Sequence, residues 1–319
     1  MKKSYKQLLH ESFKSNDTEE WLDIWFTRPV GLAVAMVCGR LGMTPNAITI
    51  VGIVLGAAAG WMFHYADLPH NVCGVALLMA ANFCDSADGQ LARLTNQKTL
   101  LGRMLDGFAS DVWFACIYVA VVVRLWATPM PASGTSGVTW GWWGLLLCAY
   151  AGLRCHSTQC SLADYYRQIH LWFLKGDQGS ELDSYAKEQH IYDGLRGQGW
   201  SFARIYHFFY KGYCRKQERQ TPRFQAFFAR YQTAVHQDPS RAAAHAAVAA
   251  EFLRGSRPLM PLTNILTHNT RATALFVAAV INIPWLYPLF EIVVLGPLYW
   301  YMRYRHEHLC QKLTDYDEI

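Results

Sequence analysis

Long apolar runs alternate with shorter polar segments along the chain, and this pattern predicts an all-α membrane protein. Crossing a bilayer as a helix takes roughly 20 predominantly apolar residues, and six runs reach or approach that length. We therefore expect a polytopic membrane protein with six transmembrane helices. The predicted spans are residues 47–64, 70–83, 100–127, 140–152, 269–285 and 287–301.

Two amphipathic segments precede the first span. Residues 18–26 place their large apolar side chains at helical spacing after a threonine that can cap a helix, which is typical of a helix on the membrane surface. Residues 30–43 are apolar but interrupted by an arginine and too short to span comfortably. We interpret both as juxtamembrane helices. Residues 4–20 are polar where a signal peptide is apolar, so we expect a retained, cytoplasmic N-terminus.

Residues 170–258 contain no run that is long and apolar enough to span, so we expect a helical cytoplasmic insert there. Two of its segments, 200–213 and 224–231, mix aromatic residues with Lys and Arg, as helices that rest on lipid head groups do. Packing of these aromatic side chains in a core of the insert is an equally good interpretation. The predicted organisation is an N-terminal region at 1–43, four spans with the site at 44–169, the insert at 170–258, and two spans with a tail at 259–319.

Composition and charge predict membrane lipids as partners and an orientation of the protein in the membrane. Charged residues make up 17% of the chain and hydrophobic residues 52%, unlike a soluble domain. The net charge of +5 is small and dispersed, so we expect anionic membrane lipids as partners and no nucleic acid. One predicted face carries Arg93, Lys98 and Arg103, whereas the opposite loop, 128–139, has no charged residue. The positive-inside rule then places the charged helix ends and both termini on the cytoplasmic side.

Four aspartates lie where the second and third predicted spans meet the cytoplasmic face, a position where charged residues are expensive. Converging carboxylates cannot all stay ionised unless a cation neutralises them, and their hard oxygen ligands suit Mg²⁺, Mn²⁺ or Ca²⁺ rather than zinc. The alternative is a cluster of buried ion pairs, but the two nearby arginines, Arg93 and Arg103, cannot neutralise four acids. With adjacent glycines, the pattern indicates a metal-dependent diphosphate site. The four acids are Asp85, Asp88, Asp106 and Asp111.

Seven residues with the spacing D-x2-D-G-x2-A-R-x8-G-x3-D resemble the signature of the CDP-alcohol phosphotransferase family. Residues 44–49 also resemble the entry to that family's first span. The resemblance covers about residues 44–111 and, more loosely, the six-span layout. The seven residues are Asp85, Asp88, Gly89, Ala92, Arg93, Gly102 and Asp106.

This resemblance implies an enzyme in which an alcohol attacks the β-phosphorus of a CDP-alcohol and CMP is released. The first three acids would hold Mg²⁺ or Mn²⁺ on the diphosphate, and a fourth acid would activate the attacking hydroxyl and also bind metal. Family members are commonly homodimers. They use CDP-diacylglycerol or a CDP-linked head group as donor, and an inositol-type alcohol or a lipid alcohol such as ceramide as acceptor. The residues that would shape the nucleotide site are Gly89, Ala92, Arg93 and Gly102.

The chain departs from the family pattern at the fourth acid. The family places this acid four residues after Asp106, where the chain has Ser110, and the acid is instead Asp111. On a regular helix Asp106 and Asp111 differ by about 140°. We predict a π-bulge around residues 108–110 that returns Asp111 to the site as catalytic and metal-binding acid. The alternative is that Ser110 occupies the fourth position and Asp111 packs elsewhere.

The helix that continues the fourth span is too polar for a lipid-facing surface. Its side chains would bind the acceptor or its phosphate, or alternatively cap the cytoplasmic end of the bundle. His268 and Asn269, at the start of the fifth span, are weaker candidates for the same role. A different class of function, an intramembrane cation transporter, predicts acids near the bilayer middle and broken spans in paired repeats, and neither is evident. The candidate acceptor-binding residues are Arg154, His156, Ser157 and Gln159.

Overall fold

The computed structural model describes residues 5–11, 15, 17–97, 99–131, 137–199 and 201–314, so that Lys98 lies outside the described residues. Within these ranges the chain is helical, and the only β pairing is an isolated bridge between Pro129 and Thr139. The predicted all-α class is confirmed. The chain divides into two compact units, Met1–Ser157 with His268–Val294 and Thr158–Thr267 with Leu295–Ile319.

The helices are numbered in chain order. Three π-helical turns adjoin them, at Asp23–Thr27 before α2, at Tyr150–His156 between α6 and α7, and at Glu291–Leu295 between α14 and α15. The helices are α1 (Tyr5–Glu11), α2 (Arg28–Arg40), α3 (Pro45–Phe63), α4 (Leu68–Thr95), α5 (Leu100–Trp126), α6 (Gly141–Ala149), α7 (Ser157–Lys175), α8 (Tyr185–Gly194), α9 (Phe202–Gln220), α10 (Pro222–Gln237), α11 (Ala242–Ser256), α12 (Met260–Ile265), α13 (His268–Val280), α14 (Leu286–Phe290) and α15 (Gly296–Thr314).

Capping residues explain where the three long helices of the first unit begin. Thr44, Asp67 and Thr99 each accept a hydrogen bond from the backbone N–H three residues further on, at 3.3, 3.1 and 2.9 Å. Such bonds satisfy N–H groups that have no partner within a helix. Asn96, in the left-handed conformation with φ 54°, ends α4 and lets the chain turn directly into α5.

Glycines on α3 let it pack closely against α5. A Cβ atom on Gly56 would lie 2.0 Å from the indole ring of Trp113, and one on Gly60 would lie 2.6 Å from Cys116 Cβ. Trp113 is 1% exposed and belongs to the core of this unit. The small-residue face at Gly56 and Gly60 therefore brings two backbones together, as such faces do between membrane helices.

Two helices in the described part of the chain, α3 and α5, are long and apolar enough to cross a membrane. They correspond to the first and third predicted spans. The second predicted span lies within α4, which continues into the acidic segment, and the later ones are divided among shorter helices such as α6 and α13. The six-span layout therefore stays a prediction beyond α3 and α5.

The N-terminal region differs from the prediction of two separate helices. One helix begins at Trp21, passes through the π turn and continues as α2 to Arg40. Thr18 does not cap it, because its hydroxyl donates instead to the carbonyl of Ser15 at 3.4 Å. Trp21 and Trp25 are 73% and 71% exposed, as expected of side chains that enter a lipid interface.

The second unit contains α7 to α12 and α15, and its core is aromatic. The ring of Phe173 stacks on Phe252 with centroids 4.1 Å apart, and Phe227 stacks on Phe252 at 5.9 Å. The aromatic residues of α10 therefore pack inside, the alternative left open by the sequence. On α9, by contrast, Phe208 and Phe209 are 49% and 69% exposed.

Candidate functional site

The predicted site lies where α4 ends and α5 begins, in the first unit. Asp85 and Asp88 are on the last turns of α4, and Asp106 is on the second turn of α5. Residues 96–99 connect the two helices, so the chain reverses within one short turn. The two helix ends can therefore present side chains to the same volume.

Three of the four predicted acids come together at these helix ends. The carboxyl groups of Asp85 and Asp106 share a hydrogen bond, and Asp88 interacts electrostatically with Asp106. The hydroxyl of Thr49, on α3, donates to Asp88 Oδ2. Asp88 is buried, Asp85 is half-buried and Asp106 is exposed, so the cluster opens at one side.

The fourth acid does not join them through the predicted bulge. The helix α5 is α-helical throughout Leu100–Trp126, so the predicted π-bulge at residues 108–110 is wrong. The uninterrupted helical hydrogen bonds leave no extra residue to rotate Asp111 toward Asp106. Asp111 is exposed, on the same face of α5 as Phe108 and Val119, which are 59% and 63% exposed.

The predicted nucleotide-site residues surround the acids. A Cβ atom on Gly102 would lie 2.9 Å from Asn46 Oδ1, so only glycine leaves this approach open beside Asp106. Gly89 faces the guanidinium of Arg93, and a Cβ there would lie 3.3 Å from Arg93 Nη1. Ala92 is half-buried on the same helix.

Arg93 has buried donor atoms whose hydrogen bonds an anion would satisfy. Its Nε and Nη2 atoms are buried and have no hydrogen-bond partner within the described residues. A buried guanidinium without a partner is costly, and a phosphate or carboxylate removes that cost. The alternative of closed ion pairs between the acids and Arg93 does not account for these two nitrogens.

The N-terminal helix also contributes to the site, which sequence reasoning missed. Arg28 interacts electrostatically with Asp85, and Glu19 holds its guanidinium at 3.1 and 3.3 Å. Gln90 donates to the carbonyl of Arg28 at 3.0 Å. The arginine between the two amphipathic segments was the available signal, but only the packing of α2 on α4 brings it to the acids.

The acids fit a divalent cation in the type of ligand that they offer. Asp85, Asp88 and Asp106 offer hard oxygen ligands, and two carboxyl groups in contact need a proton or a cation between them. Across the described ranges, however, no group of three or more His, Cys, Asp or Glu side chains is arranged to hold a metal ion as it stands. Assembly of three ligands therefore requires rotation of these side chains.

The predicted acceptor-binding residues divide between two sides of their helix. In the first unit His156 is 7% exposed, whereas Arg154 and Ser157 are exposed. Gln159, in the second unit, is 2% exposed. Alternation of this kind follows from helix geometry, because residues three apart lie on neighbouring sides.

His156 instead belongs to a buried polar network that the sequence did not reveal. Its Nδ1 atom lies 3.2 Å from Oε1 of Glu291, and the hydroxyl of Tyr287 donates to the same oxygen at 2.6 Å. Arg271 Nη1 is 3.4 Å from that oxygen, and both Arg271 and Glu291 are 0% exposed. An arginine and a glutamate within two predicted spans were the signal that pointed to it.

The part of the chain that contains the aspartates matches a known protein family, and individual proteins resemble part of the chain. Residues 42–168 match the sequence profile of the family described as CDP-alcohol phosphatidyltransferase. An archaetidylinositol phosphate synthase of Pyrococcus horikoshii is 35% identical over 73 residues, which are 23% of this chain and 37% of that protein. A protein provisionally named cardiolipin synthase in Mycobacterium tuberculosis is 31% identical over 108 residues, 34% of this chain and 44% of that protein.

The aligned segment thus spans less than half the length of these relatives. No solved structure matches the chain significantly.

Proposed function

We propose that residues 42–168, which match the CDP-alcohol phosphatidyltransferase family, form a transferase domain that joins an acceptor alcohol to the β-phosphate of a CDP-alcohol and releases CMP. The observation that carries this function is the meeting of Asp85, Asp88 and Asp106 beside the partnerless buried nitrogens of Arg93. A diphosphate with its divalent cation complements both features, because it brings negative charge to Arg93 and positive charge to the acids.

Each group has a defined task in this proposal. Asp85, Asp88 and Asp106 hold Mg²⁺ or Mn²⁺, which when bound offsets charge on the phosphate oxygens. Arg93 stabilises the charge that develops on the transferred phosphoryl group. Gly89 and Gly102 leave room for the donor to approach the backbone, which the close contacts of a Cβ atom at Gly102 support.

The substrates that we propose are lipids or lipid precursors. Both relatives are named as synthases of phospholipids. These names favour CDP-diacylglycerol or a related lipid as donor and an inositol-type alcohol as acceptor. The long insert favours a lipid alcohol such as ceramide, hence a sphingolipid product, as the second acceptor class. Arg154, His156, Ser157 and Gln159 remain the proposed acceptor-binding residues.

We place the enzyme in a membrane as a six-span protein with its site and both termini on the cytoplasmic side, acting as a homodimer. The two apolar helices α3 and α5 support membrane insertion. Exposed aromatic side chains on α9, with Lys211 and Arg215 nearby, support an insert that rests on lipid head groups. The acids lie at helix ends, which favours phosphoryl transfer over an ion path across the bilayer.

The test is an assay of CMP release by the full-length protein in lipid nanodiscs. CDP-diacylglycerol and CDP-ethanolamine are each offered with inositol, glycerol phosphate, serine or ceramide. We expect CMP release that needs Mg²⁺ or Mn²⁺, stops with EDTA and is lost in Asp85→Asn. Absence of CMP release from every pair, by protein that remains folded, would contradict the proposed function.

Arg93→Lys tests the role of the buried guanidinium in the same assay. Lysine keeps the charge but loses the planar set of donors, so we expect the KM for the donor to rise by about tenfold or more. Arg254→Lys, at a side chain that is 79% exposed in the second unit, is the matched control and should leave KM unchanged.

A further inference from the structure

Arg28 is the first residue of α2, and the start of this helix packs tightly on the acidic segment of α4. A Cβ atom on Gly31 would lie 2.7 Å from the Cβ atom of Ser86, so the two backbones approach closely. Ser86 directly follows the first of the clustered aspartates. One turn further along α4, Gln90 donates to the carbonyl of Arg28 at 3.0 Å. These two contacts fix the start of α2 beside the acids.

The guanidinium of Arg28 is held on two of its three nitrogens. Its Nε and Nη2 atoms donate to the two carboxylate oxygens of Glu19 at 3.3 and 3.1 Å. The two side chains are 17% and 5% exposed, so the pair is largely shielded from water. Every nitrogen of a guanidinium is a donor, and within the described residues Nη1 has no hydrogen-bond partner. Arg28 is therefore oriented and still able to bind another acceptor.

Arg28 and Arg93 act on the same small volume. Arg28 attracts Asp85 and repels Arg93, and Glu19 attracts Arg93. Two guanidinium groups within electrostatic range of each other favour an anion that can interact with both. Each also has donor nitrogens without a partner in the described part of the chain, Nη1 of Arg28 and Nε and Nη2 of Arg93. A diphosphate suits such a pair, because two linked phosphates offer acceptor oxygens to both arginines.

We propose that Arg28 is a second arginine of the donor site and binds the diphosphate of the CDP-alcohol together with Arg93. The inference rests on the proposed function and adds to it a residue that lies outside the seven-residue motif. Arg28 is a binding residue, because its Nη1 atom donates to a phosphate oxygen. Glu19 is a positioning residue, because it acts through the guanidinium that it orients.

The arrangement of the ion pair favours this role over a purely structural one. Glu19 and Arg28 are nine residues apart on one segment, so their pair does not join that segment to another helix. Attachment to α13 is made by other residues, since the side-chain amide of Asn269 donates to Glu20 and Asp23 at 2.7 and 3.0 Å. The direct effect of the Glu19–Arg28 pair is to fix the guanidinium beside the acids.

The experiment measures the binding of CDP, which carries the diphosphate without the alcohol, to the full-length protein in nanodiscs. Isothermal titration calorimetry with Mg²⁺ present gives the Kd. We expect Arg28→Gln to raise the Kd for CDP by about tenfold to a hundredfold, the usual effect of losing a hydrogen bond between charged groups. The KM for the CDP-alcohol should rise by a similar factor with a smaller change in kcat, because the interaction is present before the reaction begins.

Arg40→Gln is the matched control. Arg40 is an exposed arginine at the opposite end of α2, so its replacement removes the same charge from the same helix and should leave the Kd for CDP unchanged. Arg28→Lys should recover part of the affinity, because lysine keeps the charge without the planar donors. Glu19→Gln should raise the Kd by less than Arg28→Gln, because the guanidinium remains and loses only its orientation.

The outcomes separate the inference from the function on which it rests. A wild-type Kd for CDP in Arg28→Gln overturns the inference. Equal rises in Arg28→Gln and Glu19→Gln also overturn it, because a merely structural ion pair loses the same contact in both variants. If Arg28→Gln does not fold, a wild-type Kd in Arg28→Lys overturns it.

Release of CMP tests the proposed function separately. A wild-type protein that binds CDP but releases no CMP from any donor–acceptor pair contradicts the proposed function, and the Kd values of the variants still decide the role of Arg28. A folded wild-type protein that neither binds CDP nor releases CMP overturns both. An active wild type with an unchanged Kd in Arg28→Gln overturns the inference alone.

Discussion

At the scale of single residues, the neighbours Ser110 and Asp111 illustrate how helix geometry decides a role. Asp111 has the carboxylate expected at the fourth position of the family motif, whereas Ser110 has the expected spacing of four residues from Asp106. Because α5 has no bulge, Ser110 lies on the face that carries Asp106, and Asp111 lies on the outer face with Phe108. Asp111 therefore has the suitable carboxylate but lies one residue away from the position on the Asp106 face. Ser110 occupies that position but carries a hydroxyl.

The two residues can be compared directly by substitution. We expect Asp111→Asn to keep kcat within about threefold of wild type, because its side chain is on the outer face. Ser110→Ala should lower kcat more, since Ser110 lies one helical turn from Asp106 on the same face of α5. CMP release is the measurement. A loss of about 100-fold in Asp111→Asn would instead make Asp111 the family's fourth acid.

At the scale of elements, close packing of α3 on α5 determines how accurately the acids are placed. Asp106 is carried by α5, and α3 carries Thr49, which holds Asp88. The Gly56–Trp113 contact fixes the separation of these helices. A change in that separation moves the site without touching any residue in it.

Gly56→Ala tests this contact. The added methyl group would lie 2.0 Å from the Trp113 ring, so the helices must move apart, and overpacking of this kind costs about 1–3 kcal/mol. We expect a lower temperature of thermal unfolding in nanodiscs. Gly107→Ala, where a Cβ atom meets nothing within 4 Å, is the control and should be neutral or slightly stabilising. Equal unfolding temperatures for the two variants would contradict the prediction.

A second element, α15, carries a buried histidine that we expect to make the second unit sensitive to acid. His306 is 1% exposed and stacks on Tyr166 with centroids 3.9 Å apart, beyond the predicted sixth span. Burial lowers the pKa of His306 to about 3, with a smaller contribution from His170. The unfolded chain, with a pKa of about 6.5, then binds this proton more tightly than the folded one.

The free energy of unfolding should therefore be highest, as far as His306 is concerned, above about pH 6.5, where the imidazole is neutral in both states. It should decline as pH falls toward 3. We expect the unfolding temperature of the wild type to drop over this range and that of His306→Gln to drop less. Unfolding curves followed by intrinsic tryptophan fluorescence provide the measurement. Parallel curves for the two proteins would show that another group controls the acid response.

At the scale of the whole molecule, the membrane arrangement decides which compartment the acids face. The apolar helices α3 and α5 are the two described helices that meet the length and hydropathy needed for a span. The sidedness that we propose rests on charge, because the loop at 128–139 carries none, whereas the α4–α5 turn is flanked by arginines.

Introduced cysteines test this arrangement in intact cells, against the labelling of the parent protein. We expect a membrane-impermeant thiol reagent to label Val138→Cys, in the loop that we propose to lie on the external side of the membrane, and not Gly194→Cys, in the insert. Val138 is 49% exposed and a Cβ atom on Gly194 has open space, so neither change disturbs packing. Labelling of Gly194→Cys alone would reverse the orientation and place the aspartates outside.

Much of the site could be read from the chain because its members are close in sequence. Asp85, Asp88 and Asp106 lie on two helices joined by a short turn, and the caps at Thr44, Asp67 and Thr99 explain where the long helices begin. The aromatic residues of the insert could not be assigned in this way. Phe224 and Phe227 of α10 entered a core, whereas Phe208 and Phe209 of α9 stayed exposed, although both segments alternate similarly with basic residues.

The sequence by itself determined the helical class and the identity of the acids and Arg93, because caps, apolar runs and motif spacing act over a few residues. Tertiary structure alone decided that Arg28 approaches Asp85 and that His156 meets Glu291, 135 residues away along the chain. Contacts over such separations depend on how whole helices pack, and no local pattern encodes that choice. The structure also showed that α5 lacks the π-bulge that was expected to turn Asp111 toward those acids.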